Sequence, residues 1–328
     1  MGGADVRDYV WKSSLSEHIQ AHIALQKASG LKFWQQEQDL QKFDHYYFYS
    51  GYQGTKITRE VVEGFIYVKG ESNNSWRRKE VLLRNFGMYL KDLGLEPYIP
   101  EVKTPEGRTP YIPHIYTKEE LRRFFKAIDE YPDPWFTSRR IVDAVLFRFL
   151  YGTGVRVSEA LDLRIADYDR SAGVATIHHG KNNRARLIPL HPSLTNCINA
   201  FLDEFHSEHS LETPLFPSTK MMRMGKSTIY NHFRDYLLMA DIPHTGRGPR
   251  IHDFRHGFAV ENLRRWSAEG KDLLNLIPYL SAYMGHSDYK ATQYYLRLTA
   301  EIYPEMVEML AAECMDIIPS GGKSYENT

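Results

Sequence analysis

Apolar side chains recur every three or four residues through residues 14–95, the spacing that places them on one face of an α-helix. The residues expected to face inward are Leu15, Ile19, His22, Ile23 and Gln26 in a first helix; Phe33, Leu40, Phe43, Tyr46 and Tyr47 in a second; Val61, Val62, Phe65 and Ile66 in a third; and Val81, Leu82, Asn85, Phe86, Tyr89 and Leu90 in a fourth. Thr58 is a suitable cap for the third helix, Ser75 starts the fourth and Gly94 closes it. The pattern predicts a bundle of four or five helices.

A proline-rich segment follows this bundle. Pro97, Pro100, Pro105, Pro110 and Pro113 have no backbone N–H to donate, so they exclude a regular helix and stiffen the chain. We therefore predict an N-terminal helical domain at residues 1–96, a linker at 97–116 that crosses between two lobes, and a second domain at 117–328.

The second domain opens with Thr117-Lys118-Glu119-Glu120, a capping-box pattern. A very apolar helix runs from Arg139 to Leu150, and a helix from Arg156 to Leu163 follows it. The helical period is then lost, and residues 174–178 and 186–190 are predicted to be short strands that flank a hairpin turn at 180–183. Helical spacing resumes at residues 193–206, 227–239, 252–265, 273–284, 288–298 and 301–315. The whole chain is predicted to be mainly α (α+β), with one small antiparallel sheet.

The distribution of charge along the chain is more informative about function than its overall composition. The chain has 41 Lys and Arg and 41 Asp and Glu, so its net charge gives no argument for nucleic acid. Basic residues cluster at 77–79, 181–186, 247–255 and 264–265. A solvated helix face explains any one cluster, whereas convergence on one groove would create a phosphate-binding surface. Two separated cysteines and the lack of a long apolar run or a signal-peptide core favour a reducing, cytoplasmic location.

Several residues are candidates for chemistry. Arg156 follows a glycine turn, where its guanidinium either pairs with Glu159 or faces an anion; the sequence leaves both open. His252 and Arg255 share a helix face with His256, which favours an anion between them. Zinc binding by the two histidines is the rival, but the general-base Glu of that motif is absent and Arg255 would repel a cation.

Two further residues complete this set of candidates. Lys181 lies at the predicted hairpin tip, where a lysine by itself is most simply a solvated turn residue. Adjacent tyrosines, Tyr294 and Tyr295, follow His286 near the end of a predicted helix. Together these groups suit phosphoryl transfer without a metal, because guanidiniums bind phosphate oxygens and a nearby cation favours an ionised phenol.

Four separated blocks, in order, make residues 117–315 similar to the catalytic domain of the tyrosine recombinases, the phage-integrase family. They are Gly152 to Ala160 around Arg156; the hairpin segment 180–190 around Lys181; His252-Asp253-Phe254-Arg255-His256, with Phe254 where leucine is usual; and Gly285-His286, followed nine residues later by Tyr295 in Thr-x-x-Tyr.

The resemblance implies a site-specific recombinase that joins a DNA 3′ phosphate to Tyr295 and needs neither ATP nor metal. Arg156 and Arg255 would bind the phosphate, His252 and His286 would donate to its oxygens, and Lys181 would protonate the leaving 5′ oxygen. Glu159 and His256 would support these groups. The candidates for contact with double-stranded DNA are Arg77, Arg78, Lys79, Arg184, Arg186, Arg247 and Arg250.

The resemblance also implies a homotetramer on paired DNA sites, with or without sister recombinases, in the cytoplasm and associated with the nucleoid. The apolar face of helix 301–315 either docks on a neighbouring subunit or packs on its own domain. Three other functions remain open: a type IB topoisomerase-like enzyme that rejoins the same strand, a DNA-binding accessory protein that cuts nothing, and a metal-dependent nuclease using His252 and His256.

Overall fold

The computed structural model describes residues 9–31, 33–107, 112–132, 138–178, 185–245, 248–285, 294–295 and 298–299. The chain divides into two compact units, Met1–Tyr111 and Ile112–Thr328. Within the described residues, no helix combines the length and the apolar character needed to cross a membrane.

The first unit contains four helices around one apolar core: α1 (Ser16–Ala28), α2 (Trp34–Tyr49), α3 (Arg59–Ile66) and α4 (Asn73–Asp92). Thr58 caps α3, as predicted, because its Oγ1 accepts the N–H of Val61 at 3.4 Å. Helix α4 begins earlier than predicted. Its cap is Ser72, whose hydroxyl accepts the N–H of Ser75 at 3.3 Å.

The inward face of α4 is also displaced from the predicted one. Leu82, Leu83, Phe86 and Leu90 are buried, whereas Val81 is 41% exposed and Asn85 is exposed. Each residue turns the helix by about 100°, so a stripe centred on Leu82, Phe86 and Leu90 leaves positions 81 and 85 at its solvent edge.

Hydrogen bonds hold the chain after α4 against the first unit. The buried carboxylate of Glu80 accepts the hydroxyl of Thr104 at 2.6 Å and its backbone N–H at 3.1 Å. Arg84 donates to the carbonyl of Pro100 at 3.2 Å, and Arg77 donates to that of Thr104 at 2.8 Å. The part of the proline-rich segment that precedes residue 108 is therefore anchored on the helices of the first unit.

Among its described residues, the second unit contains a three-stranded sheet, seven α-helices and a short 3₁₀ helix at Ile165–Asp167. The α-helices are α5 (Lys118–Asp129), α6 (Arg139–Thr153), α7 (Val157–Asp162), α8 (Pro192–Phe205), α9 (Lys226–Met239), α10 (Asp253–Ala268) and α11 (Leu273–Met284). The strands β1 (Tyr168–Asp169), β2 (Val174–Ile177) and β3 (Arg186–Pro189) pair antiparallel in the order β1-β2-β3. Thr117 and Glu120 form the predicted capping box of α5.

This architecture confirms the predicted fold class, mainly helical with a small antiparallel sheet. Strand β1 was not predicted, because two residues are too few to show an alternating pattern. The predicted helix at 288–298 is helical at its described residues, 294, 295 and 298. The rest of that segment, the predicted hairpin turn and the predicted helix 301–315 lie outside the described residues.

Aromatic packing fixes the start of α10, which carries the predicted histidines and Arg255. Phe254 is 1% exposed, and its ring centroid lies 4.9 Å from that of Tyr116 and 5.4 Å from that of Phe124. The ring of Phe254 therefore fills the space between these two aromatic side chains. Helix α10 also packs against α6 and α11, so the ends of three helices meet beside Arg255.

Candidate active site

Two glycines allow the chain to turn where the candidate residues meet. Gly154 ends α6 with φ 61°, and a Cβ there would lie 2.6 Å from Cδ1 of Phe258. Gly285 ends α11 with φ 65°, and a Cβ there would lie 2.8 Å from Nη1 of Arg186. Any other residue at either position would be strained and would displace its neighbour.

Glu159 joins two guanidiniums. Its Oε1 accepts from Nη1 of Arg156 at 2.8 Å and from Nη1 of Arg186 at 3.1 Å, and its Oε2 accepts from Nη2 of Arg186 at 2.7 Å. The backbone N–H of Arg156 donates to Oε2 at 2.9 Å. Burial alone would raise the pKa of Glu159, but the hydrogen bonds from Arg186 and Arg156 outweigh it and hold that pKa below its ordinary value.

Three arginines donate to the last carbonyls of α11. Nε of Arg186 reaches the carbonyl of Tyr283 at 2.8 Å, Nη2 of Arg255 reaches that of Met284 at 2.6 Å, and Nη2 of Arg156 reaches that of Gly285 at 3.2 Å. These carbonyls have no partner within the helix and carry the negative end of its dipole. Three guanidiniums from separate parts of the chain are therefore held side by side.

Arg255 is the most deeply buried of the three, at 2% exposed. Its Nη1 donates to the carbonyl of Gly154 at 2.7 Å, which ties the end of α6 to the end of α11. Burial and the charge of Arg156 lower the pKa of Arg255 to about 10, so it stays charged at neutral pH. With Glu159 as the shared carboxylate, Arg156, Arg186 and Arg255 form a group of formal charge +2.

Tyr295 lies beside this group of arginines. It is 3% exposed and packs with the apolar residues of α10 and α11. Burial raises the pKa of its phenol, while a hydrogen bond from Arg255 and the charges of Arg255 and Arg156 oppose that rise. The adjacent Tyr294 is less buried, and its ring packs against Tyr295 and His256.

Two of the three candidate histidines, His252 and His256, lie in the described residues and are close to these arginines. His252 is exposed at the surface, yet desolvation of its ring, with the charges of Arg255 and Arg156, lowers its pKa to about 4. His256 is 9% exposed, and its ring centroid lies 4.9 Å from that of His252 and 5.4 Å from that of Tyr295. Across the described part of the chain, no three His, Cys, Asp or Glu side chains are grouped to hold a metal ion.

The structure brings together six of the predicted site residues: Arg156, Glu159, His252, Arg255, His256 and Tyr295. Lys181 and His286, together with the DNA-binding candidates Arg184 and Arg247, lie outside the described residues.

The remaining DNA-binding candidates divide into two groups. Arg78 and Arg250 are exposed, Arg78 beside Asp39 at 2.9 Å, and Arg77 is partly exposed. Lys79, in contrast, is buried, and its ammonium donates to Glu71 at 2.8 Å and to the carbonyl of Phe65 at 2.9 Å. The side chain of Arg186 is only 10% exposed. Lys79 and Arg186 therefore do not fit a DNA-contacting role.

The inward position of Arg186 was not predicted, because Arg186 lies in a cluster of basic residues, which made it a candidate for DNA contact. Side chains alternate across a strand, so Arg186 shares a face with buried Ile188, while Leu187 between them is 64% exposed. That period-two pattern is the signal in the sequence that could have placed Arg186 inside.

Comparison with known proteins decides the family. The model of the phage integrase family matches residues 115–301, more than half of the chain. The chain belongs to the phage integrase family.

Two curated relatives extend this similarity. The Sinorhizobium fredii protein y4rB is 29% identical over 319 residues, covering 91% of this chain and 97% of its own. The tyrosine recombinase XerD of Chlamydia pneumoniae is 27% identical over 241 residues, covering 72% of this chain and 74% of its own.

A solved structure supports the same fold. The XerH site-specific recombinase, bound to palindromic difH substrate in a post-cleavage complex, superposes with a TM-score of 0.60 at 20% identity, covering 92% of this chain and 84% of its own. The family predicted from the sequence, and with it the enzyme class of tyrosine-type recombinases, is confirmed.

The lowered pKa of His252 tests whether its imidazole lies beside Arg255 and Arg156, as the structure of this member of the phage integrase family has it. Desolvation and two guanidiniums both favour the neutral ring, so His252 should stay neutral from pH 8 down to about 5. We expect its imidazole NMR resonance, assigned by its loss in His252→Gln, to shift little over that range. A midpoint near 6.5, the ordinary histidine value, would contradict the described arrangement.

Proposed function

We propose that this chain is a site-specific DNA recombinase that cuts and rejoins DNA strands through a 3′-phosphotyrosyl intermediate on Tyr295, without metal or ATP. The observation that carries the proposal is the hydrogen bond from the guanidinium of Arg255 to the phenol of Tyr295, beside Arg156. A nucleophile and two phosphate-binding cations thus share one small space. This arrangement matches the chemistry that a DNA phosphate requires.

The reaction begins with attack of the Tyr295 oxygen on the scissile phosphorus, and the phenolic proton is released to solvent as the new bond forms. The bond between phosphorus and the 5′ oxygen breaks, and the leaving oxygen takes a proton from Lys181. A 5′ hydroxyl of the partner strand then attacks the phosphorus of the phosphotyrosyl ester and gives its proton back to Lys181, while Tyr295 leaves as a phenolate and regains a proton from solvent. One phosphodiester is exchanged for another through an ester of the protein, so no external energy source enters the balance.

The cations act on the phosphate while this exchange proceeds. Arg156 and Arg255 bind its non-bridging oxygens and stabilise the charge that develops on them in the transition state. His286 and His252 donate to the same oxygens, and His256 supports the site from beside Tyr295. A neutral His252 has one N–H for this purpose, in keeping with its low pKa.

Arg156 and Arg255 also act on the nucleophile, the phenol of Tyr295. Burial keeps the pKa of Tyr295 above its ordinary value in the DNA-free enzyme, so the phenol is protonated and weakly nucleophilic. The two guanidiniums favour the phenolate and stabilise it as the bond to phosphorus forms. The same charges that hold the phosphate therefore assist the nucleophile.

The partner of this chain is double-stranded DNA, and the enzyme acts with the nucleoid in the cytoplasm. The proposed contacts are the exposed Arg78 and Arg250, the partly exposed Arg77, and the sequence-predicted Arg184 and Arg247. Such arginines bind phosphates along the backbone and position the duplex without reading its sequence. Support comes from XerH, which was solved on its DNA substrate.

Replacing the two neighbouring tyrosines separately tests the nucleophile. The probe is a nicked duplex carrying a site that the protein itself selects from a randomised duplex pool. Tyr295→Phe removes only the reacting oxygen, so covalent protein–DNA product on a denaturing gel should fall by at least about 10³-fold. Tyr294→Phe, the matched control, should react within about threefold of the unchanged protein.

A chelator completes this experiment. Covalent product that persists in excess EDTA is expected, because no step uses a metal. The reverse result at the two tyrosines would move the nucleophile to Tyr294. Cleavage that EDTA abolishes, with no covalent product, would replace the proposal with a metal-dependent nuclease.

Exchange between strands requires more than one subunit. We further propose a homotetramer on two paired DNA sites, in which each subunit supplies one Tyr295. The palindromic substrate of XerH presents the same half-site twice, which suits binding of identical subunits related by symmetry.

Sedimentation of the 38.2-kDa chain with and without the selected duplex tests assembly. We expect a particle containing four chains and two duplexes at saturating DNA, because recombination needs two sites held together. A particle that never exceeds one duplex, even while strand exchange is measured, would contradict the tetramer.

A further inference from the structure

Arg186 is a charged side chain that the proposed chemistry does not use. It begins β3 and faces the protein interior, where its side chain is 10% exposed. Its Nη1 and Nη2 donate to the two carboxylate oxygens of Glu159 at 3.1 and 2.7 Å, and its Nε donates to the carbonyl of Tyr283 at 2.8 Å. All three nitrogens of the guanidinium therefore bind groups of the protein itself.

The shared carboxylate links Arg186 to the phosphate-binding arginine. Glu159 is 4% exposed and also accepts from Nη1 of Arg156 at 2.8 Å. If Glu159 had Arg156 as its only partner, the pair would be neutral, and Arg156 would offer less charge to a phosphate. With Arg186 bound as well, one carboxylate serves two guanidiniums and leaves a net positive charge beside Arg156.

We propose that Arg186 is a positioning residue for strand transfer: it orients and neutralises Glu159, so that Arg156 stays fixed and positively charged towards the scissile phosphate. This inference rests on the proposed function. Arg186 acts without touching DNA. Its bond to Tyr283, at the end of α11, fixes Arg186 itself in the correct place.

Geometry explains why arginine is needed at this position. A planar guanidinium donates two parallel N–H groups to a carboxylate and a third from Nε, as the three bonds of Arg186 require. Lysine would keep the charge but could not make the fork. Gly285 belongs to the same arrangement, because a Cβ there would come within 2.9 Å of Cζ of Arg186.

The test compares Arg186→Gln and Arg186→Lys on the nicked duplex carrying the selected site. Binding is titrated at several salt concentrations, and covalent product is followed in a single turnover at saturating DNA. Arg186→Gln should slow covalent product by about 10²-fold, since small misplacements of a phosphate-binding group cost that much. Arg186→Lys should fall between Arg186→Gln and the unchanged protein. Affinity should stay within about threefold, with an unchanged salt dependence.

A second substitution separates positioning from general support of the fold. In Glu159→Gln/Arg186→Gln the carboxylate that would neutralise Arg156 is gone, so we expect the rate to recover by about tenfold over Arg186→Gln alone. A purely structural role gives no such recovery. Arg170→Gln is the matched control, because Arg170 pairs with Asp203 at 2.6 Å on the surface and should react at the unchanged rate.

Each contrary outcome has a clear meaning. Weaker binding with a salt slope reduced by about 1, and an unchanged rate at saturation, would make Arg186 a direct phosphate contact and overturn the inference. A double variant slower than Arg186→Gln would also overturn it. If Arg186→Gln is not folded, as judged by the absence of a cooperative melting transition, the rate of Arg186→Lys is compared with that of the unchanged protein instead. If the unchanged protein forms no covalent product, the proposed function itself fails.

Discussion

One buried carboxylate, that of Glu159, organises the candidate active site. Its pairing with both Arg156 and Arg186 connects α7 to β3, and the same two arginines connect that pair to the end of α11. A buried carboxylate is costly unless hydrogen bonds and opposite charges compensate it, so loss of either arginine would remove part of that compensation. The carboxylate thus fixes cations that would otherwise repel one another.

Helix ends provide the second half of this arrangement. Arg255 bridges the carbonyls of Gly154 and Met284, which belong to the ends of α6 and α11. The last carbonyls of a helix lack donors, and a buried guanidinium needs acceptors for its N–H groups. Hydrogen bonds between the two therefore satisfy both. The resulting positive charge lies against the phenol of Tyr295, where it opposes the effect of burial on the pKa of that phenol.

Local patterns predicted much of this structure from the sequence. Thr58 and the Thr117–Glu120 capping box placed helix starts correctly, and spaced motifs identified Arg156, Arg255 and Tyr295, which the fold brings together. What could not be predicted depends on long-range contacts. Arg186 looked like one more basic residue in a charged cluster, because its partner Glu159 lies 27 residues earlier in the chain. Lys79 was a candidate for DNA contact because of its basic neighbours, and its partners Glu71 and Phe65 lie 8 and 14 residues earlier.

The most direct measurement is to identify the amino acid that becomes joined to DNA. The covalent complex formed on the nicked duplex would be digested with protease and nuclease, and the peptide carrying the residual nucleotide would be sequenced by mass spectrometry. The account predicts a single nucleotide-modified residue, Tyr295, linked through a 3′ phosphate. Modification of Tyr294, of another residue, or through a 5′ phosphate would contradict it.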